Sequence, residues 1–516
     1  MGKKRNIIII VLLLSVSTVV VTVFLKDFKK EIINVPVAVE VDPWKIDSNY
    51  TASIDIQNLI ASFGDSLLSN NSDQFRKGHV KTTELQNYLT KTEYGFIIDL
   101  KSNSPITTPS ISNGMLIVSG GFSSKNVFAF DPKTGLLVWA IELDDDGPSS
   151  PSINDSIAII NTESCTVFAL NLFSGEQIWS YFLGDPLISS PTLTNGTVYT
   201  VYPKPMDYIN FDSIAIDSIL HTASHPLIAM NSVNGEILWQ TWLDGDIITT
   251  IVSDSSHLFL TSFAGTMFKV NKTDGAIEGA LDLKSTSFPS IAGDKIFLTR
   301  RTDDSTGVKE SIAILNKDYF GFIREYGQTD ASYLDTSIQN HTKLKEFSTK
   351  LDQGNNFFTT PYTSGWFNSA KTTGMTNVSS MQSYIGSAPI FKNELLYNVM
   401  GDKIICSNPK TEKIVWQRKI EGNLAEVGGH LATAPIIVED KLISVTHDGL
   451  LLILSIDDGL VIMSKKLNYE VRNQPIVYEG NIIIPTSTGE LVFVETNDES
   501  IDGWYMFLKN QKHLIN

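Results

Sequence analysis

Residues Ala129-Phe-Asp131-Pro-Lys-Thr134-Gly135-Leu-Leu-Val-Trp139 return about forty positions later as Ala169-Leu-Asn171-Leu-Phe-Ser174-Gly175-Glu-Gln-Ile-Trp179. A third copy runs Ala229-Met-Asn231-Ser-Val-Asn-Gly235-Glu-Ile-Leu-Trp239, and a weaker fourth runs Cys406-Ser-Asn408-Pro-Lys-Thr411-Glu-Lys-Ile-Val-Trp416. Each part of the phrase has a mechanical reason. The Asp or Asn side chain can bond backbone amides one or two residues on and so start a turn. The Gly four residues later tolerates positive φ. Short apolar runs, Val127 to Phe130 and Leu136 to Ile141, flank the turn, so the phrase reads as the hairpin between the two outer strands of a small sheet. The closing Trp covers a large apolar area and carries an N–H that a backbone carbonyl can satisfy, which suits it to docking one sheet on the next. Small sheets at a period near forty make a β-propeller.

A second marker precedes the phrases: Thr108-Pro109, Ser150-Pro151, Ser190-Pro191, Phe288-Pro289, Ala388-Pro389, Ala434-Pro435 and Gln474-Pro475. Pro is tolerated where an innermost strand begins, because the first residue need not donate to the ladder. One long interval between these prolines hides a Pro-less repeat at Ile247 to Leu283, turning at Asp274-Gly275, and the other holds one repeat plus an insertion. The count is eight repeats, starting near residues 106, 149, 188, 248, 287, 387, 433 and 474.

This pattern resembles the PQQ-like repeat, the eight-bladed propeller family of quinoprotein alcohol dehydrogenases and BamB-like outer-membrane assembly scaffolds. The resemblance covers about residues 95 to 508 and is strong in blades 1, 2, 3 and 6. It is eroded where Gly279 and Met463 occupy the Trp position of blades 4 and 7, and blade 5 lacks the turn Gly. The expected fold is all-β, an eight-bladed propeller over 95–508 with an N-terminal transmembrane helix. Trp139, Trp179, Trp239 and Trp416, with Gly135, Gly175 and Gly235, are its expected blade-docking residues.

Two segments are candidates for the strand that closes the ring: Tyr94 to Leu100 paired with the strands after Pro475, or Trp504 to Leu508. Residues 509–516 read as a tail. Residues 31–94 lack the phrase, and the spacing of Ile54, Ile56, Leu59, Ile60, Phe63, Leu67 and Leu68 is compatible with an amphipathic helix, so this stretch reads as a stalk or helical linker.

Residues Ile7 to Leu25 form nineteen uncharged, mostly β-branched or Leu positions, long enough to cross a bilayer core. Lys3, Lys4 and Arg5 precede them and hold the N-terminus on the cytoplasmic side, which places the propeller outside the cytoplasm. The competing reading is a cleaved signal peptide with Ser15-Val-Ser17 as its small-residue site. BamB-like proteins are usually lipoproteins, but no Cys lies near this N-terminus, so lipid anchoring does not carry over. A net charge of −17, with no basic aromatic-laced stripe, excludes nucleic acid as a partner.

Strands alternate direction within a blade, so the B–C and D–A connections share one end of the ring. The insertions 204–225 and 327–386, and the shorter elaborations Thr302 to Lys309 and Gly422 to Leu431, all fall on that end. Long loops in a compact domain tend to carry function, which makes this end the candidate binding face. Tyr362, Trp366, Phe367, Met375, Met381 and Tyr384 in the longer insertion have the composition of an adaptable protein-binding surface, and the alternative is a plug across the ring.

The enzyme implied by the resemblance is a PQQ-dependent dehydrogenase, which in that family needs a vicinal Cys pair, a Ca²⁺ cradle and a catalytic Asp. This chain has only Cys165 and Cys406, and no C-x-x-C-H for haem. His221 and His225 have helical metal-pair spacing without a third ligand, Asp144-Asp145-Asp146 lacks the alternate spacing of a calcium loop, and neither Arg300-Arg301 nor His447-Asp448 is paired with a nucleophile. No catalytic residue, cofactor or metal is therefore expected. The expectation is a membrane-anchored, extracytoplasmic, non-catalytic scaffold for protein partners in the cell envelope, similar to BamB-like assembly factors. The alternative is a divergent quinoprotein or another small-ligand-binding propeller.

Overall fold

Eight antiparallel sheets follow one another along the chain and form an eight-bladed propeller. The computed structural model describes residues 42–50, 53–56, 68–102, 104–121, 124–162, 166–183, 190–202, 225–245, 247, 250–262, 264–304, 307–331, 388–427 and 430–503. Its contacts divide the chain into Met1–Lys45 and Ile46–Asn516, and the second unit holds the ring. In blade 1, strands A to D are Ser110–Ser112, Met115–Ser119, Asn126–Phe130 and Leu137–Leu143. The D strands of blades 2 to 7 are Gln177–Phe182, Ile237–Leu243, Ile277–Asp282, Gly321–Asp330, Lys413–Lys419 and Val461–Lys466.

Blade 8 takes strands Ile476–Tyr478, Asn481–Pro485 and Glu490–Glu495 from the end of the chain and Gly95–Asp99 from before blade 1. The register runs from Gly95 opposite Val494 to Asp99 opposite Glu490. Of the two closure strands the sequence offers, the earlier one is thus the seam, and Trp504 to Leu508 lies outside the described residues. Phe96 and Ile98 are buried there, as the alternation of a strand requires.

The hairpin phrase works as a knob and a hole. Trp139 donates its indole N–H to Leu172 O at 3.0 Å, Trp179 to Ser232 O at 2.9 Å, Trp239 to Lys272 O at 2.9 Å and Trp416 to Ile456 O at 2.8 Å. Each acceptor lies in the C–D turn of the following blade. Each indole also lies over that turn's Gly: a Cβ on Gly175 would stand 2.8 Å from the Trp139 ring, and one on Gly459 would stand 2.6 Å from Trp416. Phe96 plays the knob for Gly135 across the seam, where a Cβ would approach it to 2.5 Å. Only glycine leaves room for the ring and also accepts the turn's positive φ.

The eroded repeats have exchanged parts. Gly279 stands in the Trp position of blade 4, opposite Lys269 as Trp139 is opposite Ala129. The hole-forming position of blade 5 is taken by Phe320, with φ of 50°. A Cβ on Gly279 would collide with this phenyl ring, 2.8 Å from its Cε1. The knob therefore points the other way at this junction. At the next one Arg324 stands in the Trp position, and Glu412, with φ of 62°, takes that of the turn Gly. The Arg324 guanidinium donates to Pro409 O and Lys410 O and pairs with Glu412 at 2.8 Å. Met463, Tyr94 and Ile97 pack against one buried cluster between blades 7 and 8.

The described part of 31–94 is a belt instead of the expected stalk. Asp47 N bonds Phe322 O of blade 5, Ile54 N bonds Ala280 O of blade 4, and Gln240 of blade 3 donates to Ser69 O at 2.8 Å. Arg76 bridges Phe182 of blade 2, Val80–Thr82 pairs with Ile141 to Leu143 of blade 1, and Leu89–Thr92 pairs with the seam strand. The chain thus passes the outer edges of blades 5, 4, 3, 2, 1 and 8 in turn. It satisfies D-strand backbone groups that would otherwise face water unpaired. Residues 57–67, the middle of the helix read over 54–68, lie outside the described residues, as does the Ile7 to Leu25 span. Among the described residues no helix is long and apolar enough to cross a membrane.

Candidate functional site

The B–C and D–A connections share one end, and that end carries the elaborations. Residues 203–224 join strand B of blade 3, Thr197–Val201, to strand C, His225–Asn231. In blade 5, strands B and C, Lys295–Asp304 and Gly307–Asn316, pair as a ribbon longer than the described B and C strands of the other blades. Residues 332–387 follow strand D of the same blade. Tyr362, Trp366, Phe367, Met375, Met381 and Tyr384 belong to this segment and lie outside the described residues.

The ribbon of blade 5 gathers charge. Arg301 and Glu310 face each other in the ribbon register, with Nη2 and Oε1 3.3 Å apart and both side chains almost fully buried. His430, from the connection between blades 6 and 7, brings Nε2 to 3.8 Å from Glu310 Oε1. Its Nδ1 accepts from Gly401 N at 2.9 Å, so the neutral ring carries its proton on Nε2. Burial holds the His430 pKa below the usual imidazole value, against the pull of Glu310. Arg300, on the opposite face of the strand, pairs with Glu325 at 3.0 Å.

A second group joins blades 7 and 8. His447 Nε2 lies 3.0 Å from Glu470, which also takes Arg472 Nε at 3.2 Å. The His447 hydrogen bond, followed by the Arg472 charge, draws the Glu470 carboxyl down to about 2. Arg472 also donates to Val427 O at 3.3 Å, binding one D–A connection to the next. His447 is thus tied to Glu470, while Asp448 pairs with Lys466. Both groups are self-neutralised and fasten loops to the ring. The second is half legible in the sequence, since His447 stands out and its partners lie more than twenty residues on; of the first, Arg301 stands out beside Arg300, while Glu310 and His430 carry no local motif.

A neutral buried His lowers stability as it is forced to take a proton, because the unfolded chain binds that proton more readily. The contribution is present above the unfolded value near 6.5 and is lost as pH falls below it. His430→Gln should therefore flatten the fall in melting temperature from about pH 7 to about pH 5. An unchanged slope would show that His430 does not carry it.

Asp145 accepts from Thr162 and Thr166 of the next blade's B–C turn, and Asp244 repeats this with Thr266 one junction along from blade 3. The acidic turn 144–146 is in this way an inter-blade tie. His225 begins strand C of blade 3, where burial pushes its pKa down to about 3, and His221 lies outside the described residues. Cys406 is buried in strand C of blade 6 beside Tyr397, its thiol raised to about 11 by burial. No group of three His, Cys, Asp or Glu able to hold a metal occurs among the described residues. Cys406 stands in a blade interior with no cysteine next to it in the sequence.

The family model for outer membrane protein assembly factor BamB matches residues 123–213 and 366–501. Two curated relatives match parts of the chain. Tetrathionate hydrolase of Acidithiobacillus ferrooxidans is 26% identical over 133 residues, 24% of this chain and 26% of its own length. An uncharacterized protein of Rickettsia conorii is 23% identical over 225 residues, 40% of this chain and 50% of its own length. The chain thus spans half or less of each relative. Among solved structures, quinohemoprotein alcohol dehydrogenase ADHIIG of Pseudomonas putida superposes with a TM-score of 0.51 at 10% identity, covering 87% of this chain and 83% of the other. That likeness is one of fold. The blade geometry is that of an eight-bladed β-propeller, and the repeats with the family-model match support a PQQ-like repeat β-propeller.

Proposed function

We propose that this PQQ-like repeat β-propeller is a non-catalytic scaffold, which offers the loops of its B–C and D–A end to a protein partner in the cell envelope. The carrying observation is the one-sided decoration: the long connections leave one end of a ring that is interlocked at its junctions and belted along six edges. Rigid support of this kind is what a presenting surface needs, because loops held on a stiff frame lose less freedom on binding. The match to the BamB family model supports a role of the same class. In this reading Ile7 to Leu25 anchors the chain in a membrane with the ring on the extracytoplasmic side, as the positive charges before it favour.

The reading is tested by replacing residues 332–387 with a short Gly-Ser linker and comparing partner retention and melting with the full chain. The expected result is loss of retention with a melting transition nearly unchanged. Collapse of the transition would make the segment a structural plug. The quinoprotein alternative is tested separately, by titrating the protein with PQQ and Ca²⁺ and recording its absorption. A stoichiometric quinone band would establish a cofactor site and overturn the non-catalytic reading.

A further inference from the structure

The belt passes six blade edges and leaves two. Among the described residues nothing pairs with the outer side of strand D in blade 6, Lys413–Lys419, or in blade 7, Val461–Lys466. The two strands differ in charge balance. Lys465 and Lys466 of blade 7 pair with Glu93 and Asp448. In blade 6, Lys403, Lys413, Arg418 and Lys419 make no ion pair among the described residues, in a chain of net charge −17. Lys403 stands directly opposite Lys419 in the ladder, with Arg418 beside it. Like charges facing across a ladder are unfavourable until a counter-charge arrives.

The molecule itself shows what such an edge accepts. In blade 1 the belt strand Val80–Thr82 adds antiparallel to strand D, and its Lys81 faces Glu142 and pairs with it at 2.9 Å. Counted from the docking Trp, Glu142 of blade 1 corresponds to Lys419 of blade 6, and Ile141 to Arg418. The belted strands of blades 1, 2, 3 and 4 put Glu142, Phe182, Trp242 and Asp282 at this place, and none of them is basic. Blade 6 has the same backbone edge with the sign of its charges reversed.

We propose that the outer edge of blade 6 receives an extended acidic segment of a partner chain as a fifth strand, whose carboxylates on one face meet Lys419 and Lys403 as Lys81 meets Glu142 in blade 1. Backbone hydrogen bonds supply the attachment and the alternating carboxylates supply the selection, as in other strand-addition interfaces. This edge runs along the outer rim of the ring, and Lys403, Arg418 and Lys419 stand where it meets the decorated end.

The test uses the full chain and a labelled, end-capped peptide of alternating Glu and Val, eight residues long, with the Lys and Val counterpart as control. We expect the acidic peptide to bind with an affinity that falls as salt rises, and the basic one not to bind. Hydrogen exchange should slow at residues 413–419 when the acidic peptide is added and stay unchanged at 137–143. The Arg418→Glu/Lys419→Glu variant should lose at least tenfold in affinity while keeping its melting temperature. Three results would overturn the proposal. One is binding without new protection at 413–419. Another is protection of that strand in the isolated chain equal to that of 137–143, which would mean that another part of the chain or a second copy already covers it. The third is an Arg418→Val/Lys419→Val variant that self-associates but keeps its peptide affinity, which would make the charges a guard against edge pairing.

Discussion

Replacing Phe320 with Gly should cost about 3 to 5 kcal/mol of stability, the scale for deleting a buried aromatic ring. Phe320 is 9% exposed and fills the place above Gly279 that an indole fills elsewhere. Gly279→Trp should be at least as damaging, because even a Cβ there meets the Phe320 ring and the new indole has no hole to enter. The double variant, Gly279→Trp with Phe320→Gly, rebuilds the arrangement of the neighbouring junctions and should recover most of the loss. Urea unfolding of the four proteins gives the coupling directly. A coupling near zero would show that the two positions are independent, and the exchange of knob and hole would be a coincidence of sequence.

Trp239→Ala should be comparably severe. Its ring is buried, lies over Gly275, stacks at a tilt 5.8 Å from Tyr199 and donates to Lys272 O at 2.9 Å. Removing it opens a cavity between blades 3 and 4 and leaves that carbonyl without its donor, for a loss of about 3 to 5 kcal/mol. Trp239→Phe retains part of the packing and loses the hydrogen bond, so it should fall between Ala and the native residue. Because a blade touches only its neighbours, the damage should appear first as faster hydrogen exchange in blades 3 and 4. Uniform acceleration around the ring would mean that it unfolds only as a whole.

These junctions show how far the sequence could be read. The phrase is local, since its Asx side chain, turn Gly and Trp sit within eleven residues, so the hairpins, the ring and its docking residues were legible. The seam was legible as one of two choices because Tyr94 to Leu100 has the alternation of a strand. At Gly279 and Met463 the same reading saw erosion. A knob replaced by Gly makes sense only beside the next blade's Phe320, forty-one positions on, and the Arg324 and Glu412 pair is farther apart still. The belt was misread for a related reason. Its residues find their partners in strands up to about 400 positions later and in reverse blade order, while its own apolar residues, taken alone, have a spacing close to that of a helix. The decorated end was placed by strand alternation alone, and its buried Glu310 and His430 had no signal short of the folded ring.

One end of the ring meets a protein partner in this reading, and the other does not. A photo-crosslinking residue at Glu421, exposed on the D–A side between blades 6 and 7, is compared in the cell with one at Asn195, exposed in an A–B turn at the opposite end. A discrete protein adduct is expected from position 421, lost when residues 332–387 are replaced, and none from position 195. Adducts from 195 alone, or none from 421 in a protein that binds PQQ stoichiometrically, would contradict this reading.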